Sequence, residues 1–165
     1  LRPSIGSLTW GGINISDDDE LFRSLIHYVG HQDAIKTALT VEENLSFWVN
    51  INSGTHKKNN VREALDHFSL EKFAKLPAKF LSAGQRKRLN LARICASWAP
   101  LWLLDEPSSS LDVASLNTLN TVMSNHQKKG GMIAIATHEK IDLMHNYLDI
   151  PKFTEPNMLF WETND

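Results

Sequence analysis

The sequence carries a single cysteine, Cys95, in 165 residues. No disulfide can form within the chain, so packing alone must hold it, as suits a reducing compartment. It has no long hydrophobic run either. The longest nearly apolar stretch, residues 94–104, is interrupted by Ser97 and Pro100 and falls well short of the roughly 20 residues a membrane-spanning helix needs. Neither sign of charge prevails. A net charge of −2 gives no broad attraction to nucleic acid or to an anionic membrane, so any membrane role would come through a partner. The eight glycines include none followed by lysine, and the phosphate-cradling pattern G-x-x-x-x-G-K-S/T is therefore missing from these residues. Internal repeats and low-complexity segments are also lacking.

An apolar share of 42% in a chain of this length is enough for one globular domain with a core. The most informative stretch is 81–112. Within it, Leu81-Ser82-Ala83-Gly84-Gln85 is a small-residue turn running into a strong helix-forming segment, 86–96. Ser82 suits an N-cap, and a helix start of this kind aims unpaired N–H groups and the positive dipole end at an anion. Leu101-Trp102-Leu103-Leu104 reads as a buried strand that delivers Asp105 and Glu106 at its carboxyl end, the end where open α/β sheets bind ligands. Cys95 falls on the apolar side of the preceding helix and reads as a core residue. Arg86-Lys87-Arg88 reads as that helix's solvated side.

Elsewhere the chain alternates strands and helices. Residues 7–10 form a short strand closed by Gly11-Gly12, 16–20 an acidic helix start, and 25–30 a second strand. Thr40-Val41-Glu42-Glu43 is a capping box opening a helix over 41–50. Residues 52–60 read as a solvated loop. Val61, Ala64, Leu65 and Phe68 repeat at helical spacing, and Leu76-Pro77 ends a short helix after Ser69. Leu116, Leu119, Val122 and Met123 mark another amphipathic helix stopped at Gly130-Gly131. Residues 132–136 form a further buried strand, and 146–165 an irregular tail with one candidate strand at 157–161. This alternation implies a mostly parallel sheet. His27 and His31 are four apart, but on a strand and without a third ligand they do not amount to a metal site. His56, His67, His126 and His145 show no partner pattern and read as surface or core residues.

Taken together, these motifs resemble the ABC ATPase family. LSAGQ looks like its LSGGQ signature, LWLLDE like its Walker B strand, and Ser109-Ser110-Leu111-Asp112 like its D-loop. LSAGQ with alanine third, together with LWLLDEP, is similar to the haem-exporter ATP-binding subunits of bacterial cytochrome c maturation. The resemblance implies an α/β fold, a P-loop NTPase-like ABC ATPase domain with a parallel sheet core and a helical subdomain, incomplete at its N-terminus. Residues 1–32 and 98–165 would belong to the RecA-like core and 33–97 to the helical subdomain with the signature. ATP and Mg²⁺ are the implied ligands. Asp105 would hold the metal and Glu106 would be the general base. His138 would contact the γ-phosphate, and Gln32 would be the Q-loop residue touching metal and water. Ser82, Ala83, Gly84, Gln85 and Asp112 would serve the nucleotide of a second ATPase subunit in a head-to-tail dimer.

Further implied are integral membrane transporter subunits as partners, with Phe47 and Trp48 as candidate lining of a groove for them. The implied location is peripheral, on the cytoplasmic face of the inner membrane. Leu1 to Leu8 resembles the segment after the family's P-loop helix, so the P-loop is expected before Leu1. Without it the 165 residues are expected to fold poorly and to be inactive alone. The alternatives are a truncated, non-catalytic fragment of the family or an ABC ATPase exporting another substrate.

Overall fold

A computed structural model describes residues 5–53, 58–139 and 146–153. The candidate strand at 157–161 and both His56 and His145 lie outside the described residues. The chain opens with a hairpin, β1 (Thr9–Trp10) against β2 (Ile13–Asn14), turning at Gly11 and Gly12 with φ of 57° and 84°. Two successive positive φ values are what a two-residue primed turn demands, and glycine meets them without strain. Helix α1 (Asp19–Ser24) follows, capped by Asp18, whose Oδ1 accepts from the Leu21 N–H at 2.8 Å.

Strand β3 (Ile26–Val29) leads into an all-helical excursion. The predicted capping box opens α2 (Val41–Ser53): Glu43 N–H donates to Thr40 Oγ1 at 3.2 Å, and Thr40 N–H donates to Glu43 Oε2 at 2.8 Å. Helix α3 (Lys58–His67) begins inside the predicted 52–60 loop. The polar composition there is overridden because Val41, Leu45 and Val49 of α2 and Val61, Ala64 and Leu65 of α3 are all buried together, and packed helical stripes outweigh weak local propensities. After Ser69, at φ 52°, two single-turn 3₁₀ segments, Glu71–Phe73 and Ala78–Phe80, replace the one short helix expected, with extended Pro77 between them.

Helix α4 (Ala83–Ala96) is the hub. Leu89, Asn90, Leu91, Ala92, Arg93, Ile94 and Ala96 are all buried, so its second half is enclosed on nearly every side. It touches α2 and α3, β3, and α5 (Val113–Lys128). Strand β4 (Leu101–Asp105) is the centre of a parallel sheet ordered β3-β4-β5, with β5 spanning Met132–Ala136. The register aligns Tyr28, Leu103 and Ala134 on one face, and His27, Trp102 and Ile133 on the other.

Only the second face is well covered. His27, Val29, Trp102 and Leu104 are buried, whereas Tyr28 and Met132 are 60% and 49% exposed. The two strands predicted as fully buried therefore alternate, because among the described residues the helices pack on one face alone. A one-sided sheet shows itself as a period of two. Cys95 is half-buried against the core; burial pushes its thiol up to about 12, and it packs rather than reacts. Among the described residues no helix is long and apolar enough to cross a membrane.

Candidate functional site

The site grows from the carboxyl end of β4. Because β4 is central, Asp105 and Glu106 leave the sheet between the ends of β3 and β5. Glu106 extends the ladder by one bond, its N–H donating to the Ala136 carbonyl at 2.8 Å. The chain then turns sharply, with Glu106 at φ 44° and Ser110 at φ 64°. Left-handed backbone at a non-glycine residue costs on the order of 1 kcal/mol or more and persists only where neighbours over-determine it. Here the Glu106 carbonyl accepts three donors: Ser109 N–H at 3.3 Å, Ser109 Oγ–H at 3.0 Å and Lys87 Nζ at 3.0 Å.

The Glu106 carboxylate is held as firmly. Its Oε1 accepts the His138 N–H at 3.1 Å and its Oε2 accepts the Thr137 hydroxyl at 3.0 Å. His138 Nε2 stands 3.8 Å from Oε1, on a fully exposed side chain. The parallel pairing of Asp105 with Ala136 places these partners side by side, although 31 and 32 residues separate them from Glu106. Asp105 is half-buried, and among the described residues its carboxylate makes no hydrogen bond and no ion pair. Its oxygens thus remain available, and carboxylate oxygen is the ligand that a hard cation such as Mg²⁺ prefers.

The other expected residues take two places. Gln32 is exposed on the loop after β3, beyond the Val29–Leu104 pairing and at the same end of the sheet. No hydrogen bond joins it to either carboxylate among the described residues. Ser82 and Gln85 cap α4 reciprocally: Gln85 N–H donates to Ser82 Oγ at 3.3 Å, and Ser82 N–H donates to Gln85 Oε1 at 2.8 Å. Ala83 is exposed and Gly84 half-buried, with open space beside the Gly84 Cα. Asp112 is exposed and caps α5, accepting from the Ser115 N–H at 2.7 Å; the Ser115 hydrogen bonds hold its carboxyl below the usual range.

One expectation is corrected. Residues 86–88 are not a solvated face; all three are half-buried and each donates to a backbone carbonyl. Arg86 reaches Leu81 O at 3.3 Å, Lys87 reaches Glu106 O, and Arg88 reaches Phe68 O at 3.3 Å. Long basic side chains lay their stems along apolar surface and end on carbonyls that turns leave unpaired. Lys87, Thr137 and Ser109 were thus missed as parts of the site. Helical phase held the signal for the first: Lys87, Leu91 and Ile94 are at i, i+4 and i+7, and the last two are fully buried.

Known proteins resemble this chain in sequence and in fold. The sequence model of the ABC transporter family matches residues 1–109. The cytochrome c biogenesis ATP-binding export protein CcmA of Rhodospirillum rubrum is 46% identical over 143 residues, covering 87% of this chain and 60% of that protein. Its namesake from Paramagnetospirillum magneticum is 43% identical over 145 residues, covering 87% and 67%. The chain thus spans about three-fifths to two-thirds of the length of these relatives. Among solved structures, the ATP-binding subunit of an ABC transporter superposes with a TM-score of 0.77 at 23% identity, covering 84% of this chain and 58% of that one. A dimeric ATP-binding cassette in a post-hydrolysis state with ADP and Pi bound gives 0.74 at 26% identity, covering 84% and 65%.

Proposed function

The chain belongs to the ABC transporter family, and on that premise we propose that it supplies the signature tip and the carboxylate site of an ATP-hydrolysing transporter subunit. The observation that carries this reading is the meeting of Glu106 and His138 at the sheet's carboxyl end, at 3.1 Å from carboxylate to amide. γ-Phosphoryl transfer to water needs charge neutralisation, a placed water and a proton acceptor. Glu106 is the acceptor on this reading. Its two donors leave the carboxylate with one preferred direction, so the proton it takes from water is delivered to a fixed position. His138, exposed beside it, would contact the γ-phosphate, and Gln32, at the same end of the sheet, would be a further polar group for metal and water. Asp105 would hold Mg²⁺, which when bound would neutralise charge on the phosphates.

Ser82, Ala83, Gly84 and Gln85 serve the nucleotide of a second subunit, with Asp112 at the interface between the two. Two copies arranged head to tail then share two sites. The 165 residues hold no P-loop, so the phosphate cradle comes from outside them, and these residues by themselves are inactive. Integral membrane subunits are the proposed partners, and the cytoplasmic face of the inner membrane the proposed location. The two relatives named as cytochrome c biogenesis export proteins favour haem handling for c-type cytochromes over another cargo.

The test is Mg²⁺-dependent ATP turnover by the P-loop-carrying protein. Glu106→Gln is expected to lower kcat by about 10² to 10⁴-fold, and cells carrying it to lose c-type cytochromes. Undiminished turnover by Glu106→Gln refutes the assignment of the base. Loss of turnover with normal cytochrome assembly refutes the cargo. Turnover by the isolated 165-residue chain refutes its inactivity.

A further inference from the structure

Among the described residues, Lys87 is the one donor to the Glu106 carbonyl that comes from outside the local turn. The Ser109 N–H and hydroxyl already satisfy that oxygen from three residues away, and a carbonyl offers only two lone pairs. Half-burying an ammonium to add a third donor costs desolvation that the turn's own stability does not require. Burial in fact depresses the Lys87 pKa, opposed by the charges of Asp105 and Glu106. The same Nζ also lies 3.4 Å from Ser109 Oγ, so it grips both ends of the turn.

Lys87 stands two residues after Gln85, in the first turns of α4, and α4 is rigid because its later turns are enclosed by core. From there it crosses to a residue 19 positions on, whose backbone is left-handed. A charge-assisted bond of this kind is directional and about twice as strong as a neutral one. We infer that Lys87 is a positioning residue: it ties the start of α4 to the strained main chain of Glu106 and so fixes where the Glu106 carboxylate stands. The lysine touches no reacting atom; it acts through Glu106. The inference rests on the reading of Glu106 as the base.

The experiment compares Lys87→Met, Lys87→Arg and Glu106→Gln in the P-loop-carrying protein, following ATP turnover and thermal melting. Displacing a catalytic group slightly is costly in rate and not in binding, so Lys87→Met is expected to lower kcat about tenfold with KM for ATP within about twofold. Lys87→Arg, which keeps the cationic donor, is expected to restore most of the rate. A structural role alone would lower the melting temperature and leave kcat per folded molecule unchanged, and that result overturns the inference. So does an unchanged kcat in Lys87→Met beside an inactive Glu106→Gln. Full turnover by Glu106→Gln overturns the underlying reading and this inference with it. Should Lys87→Met fail to fold, Lys87→Gln takes its place under the same criteria.

Discussion

Acid should destabilise this fold through one buried histidine. His27 is 4% exposed, and its Nε2 lies 3.0 Å from the Ser97 carbonyl and 3.2 Å from Ser97 Oγ. A carbonyl only accepts, so that nitrogen carries the hydrogen of a neutral ring. Desolvation lowers the His27 pKa from 6.5 to about 4, with repulsion from Arg93 and His126 adding to it and the Ser97 bond opposing it. The folded pKa of this base lies below its unfolded value, so between these two limits the unfolded chain binds the additional proton. Stability present above pH 6.5 is then lost as pH falls toward 4. Going from about pH 7.5 to about pH 5 the loss is about 2 kcal/mol, rising to about 3 kcal/mol below pH 4.

His126 contributes with the same sign, since burial lowers its pKa too. It stacks on Trp102 with ring centroids 3.8 Å apart and lies 4.8 Å from Trp98, which makes tryptophan emission a local reporter. With a urea slope of about 2 kcal/mol/M, the unfolding midpoint is expected to fall by about 1 M over that pH step. His27→Gln keeps an N–H for Ser97 without the titration, and should show a much smaller fall. A midpoint independent of pH, or an equal fall in His27→Gln, would refute the reasoning.

Arg93 is buried, donates to the Tyr28 carbonyl and lies 4.4 Å from the Trp48 ring. Arg93→Met removes the donor from a main-chain carbonyl and is expected to cost about 1 to 3 kcal/mol in urea unfolding. A change within about 0.5 kcal/mol would show that water replaces the guanidinium at no cost. At Gly131, an added Cβ would fall 2.1 Å from His126 Nε2, and His126 is pinned by two tryptophans. Gly131→Ala is therefore expected to cost about 1 to 3 kcal/mol and to shift tryptophan emission; a melt equal to wild type would mean that His126 moves aside freely.

Much of this architecture was legible where a local rule speaks clearly. The Thr40–Glu43 capping box announces itself by spacing and Ser82 as an N-cap by residue type; the structure forms both and adds the reciprocal Gln85 bond. The apolar runs at 101–104 and 132–136 gave the parallel strands, and the carboxylates fell at the expected end. What the sequence concealed depends on three dimensions. The exposure of one sheet face is decided by what packs there, not by residue type. The return strand Ile13–Asn14 is too short to carry a pattern. Lys87 looked solvated because a basic triplet usually is; only its phase with Leu91 and Ile94 told otherwise. Thr137 became visible as a partner of Glu106 through the β4–β5 register alone. The placement of Gln32, three residues past β3, follows from the strand that precedes it.

The central claim is that the Ser82–Gln85 tip and the Asp105–Glu106 end grip opposite nucleotides across two subunits. It is tested most directly by the mass in solution of the P-loop-carrying Glu106→Gln protein, with and without ATP and Mg²⁺. A monomer that becomes a dimer on adding ATP, and fails to do so when Ser82→Arg is also present, is the predicted result. A mass indifferent to ATP, or a dimer that forms equally well with Ser82→Arg, would contradict it.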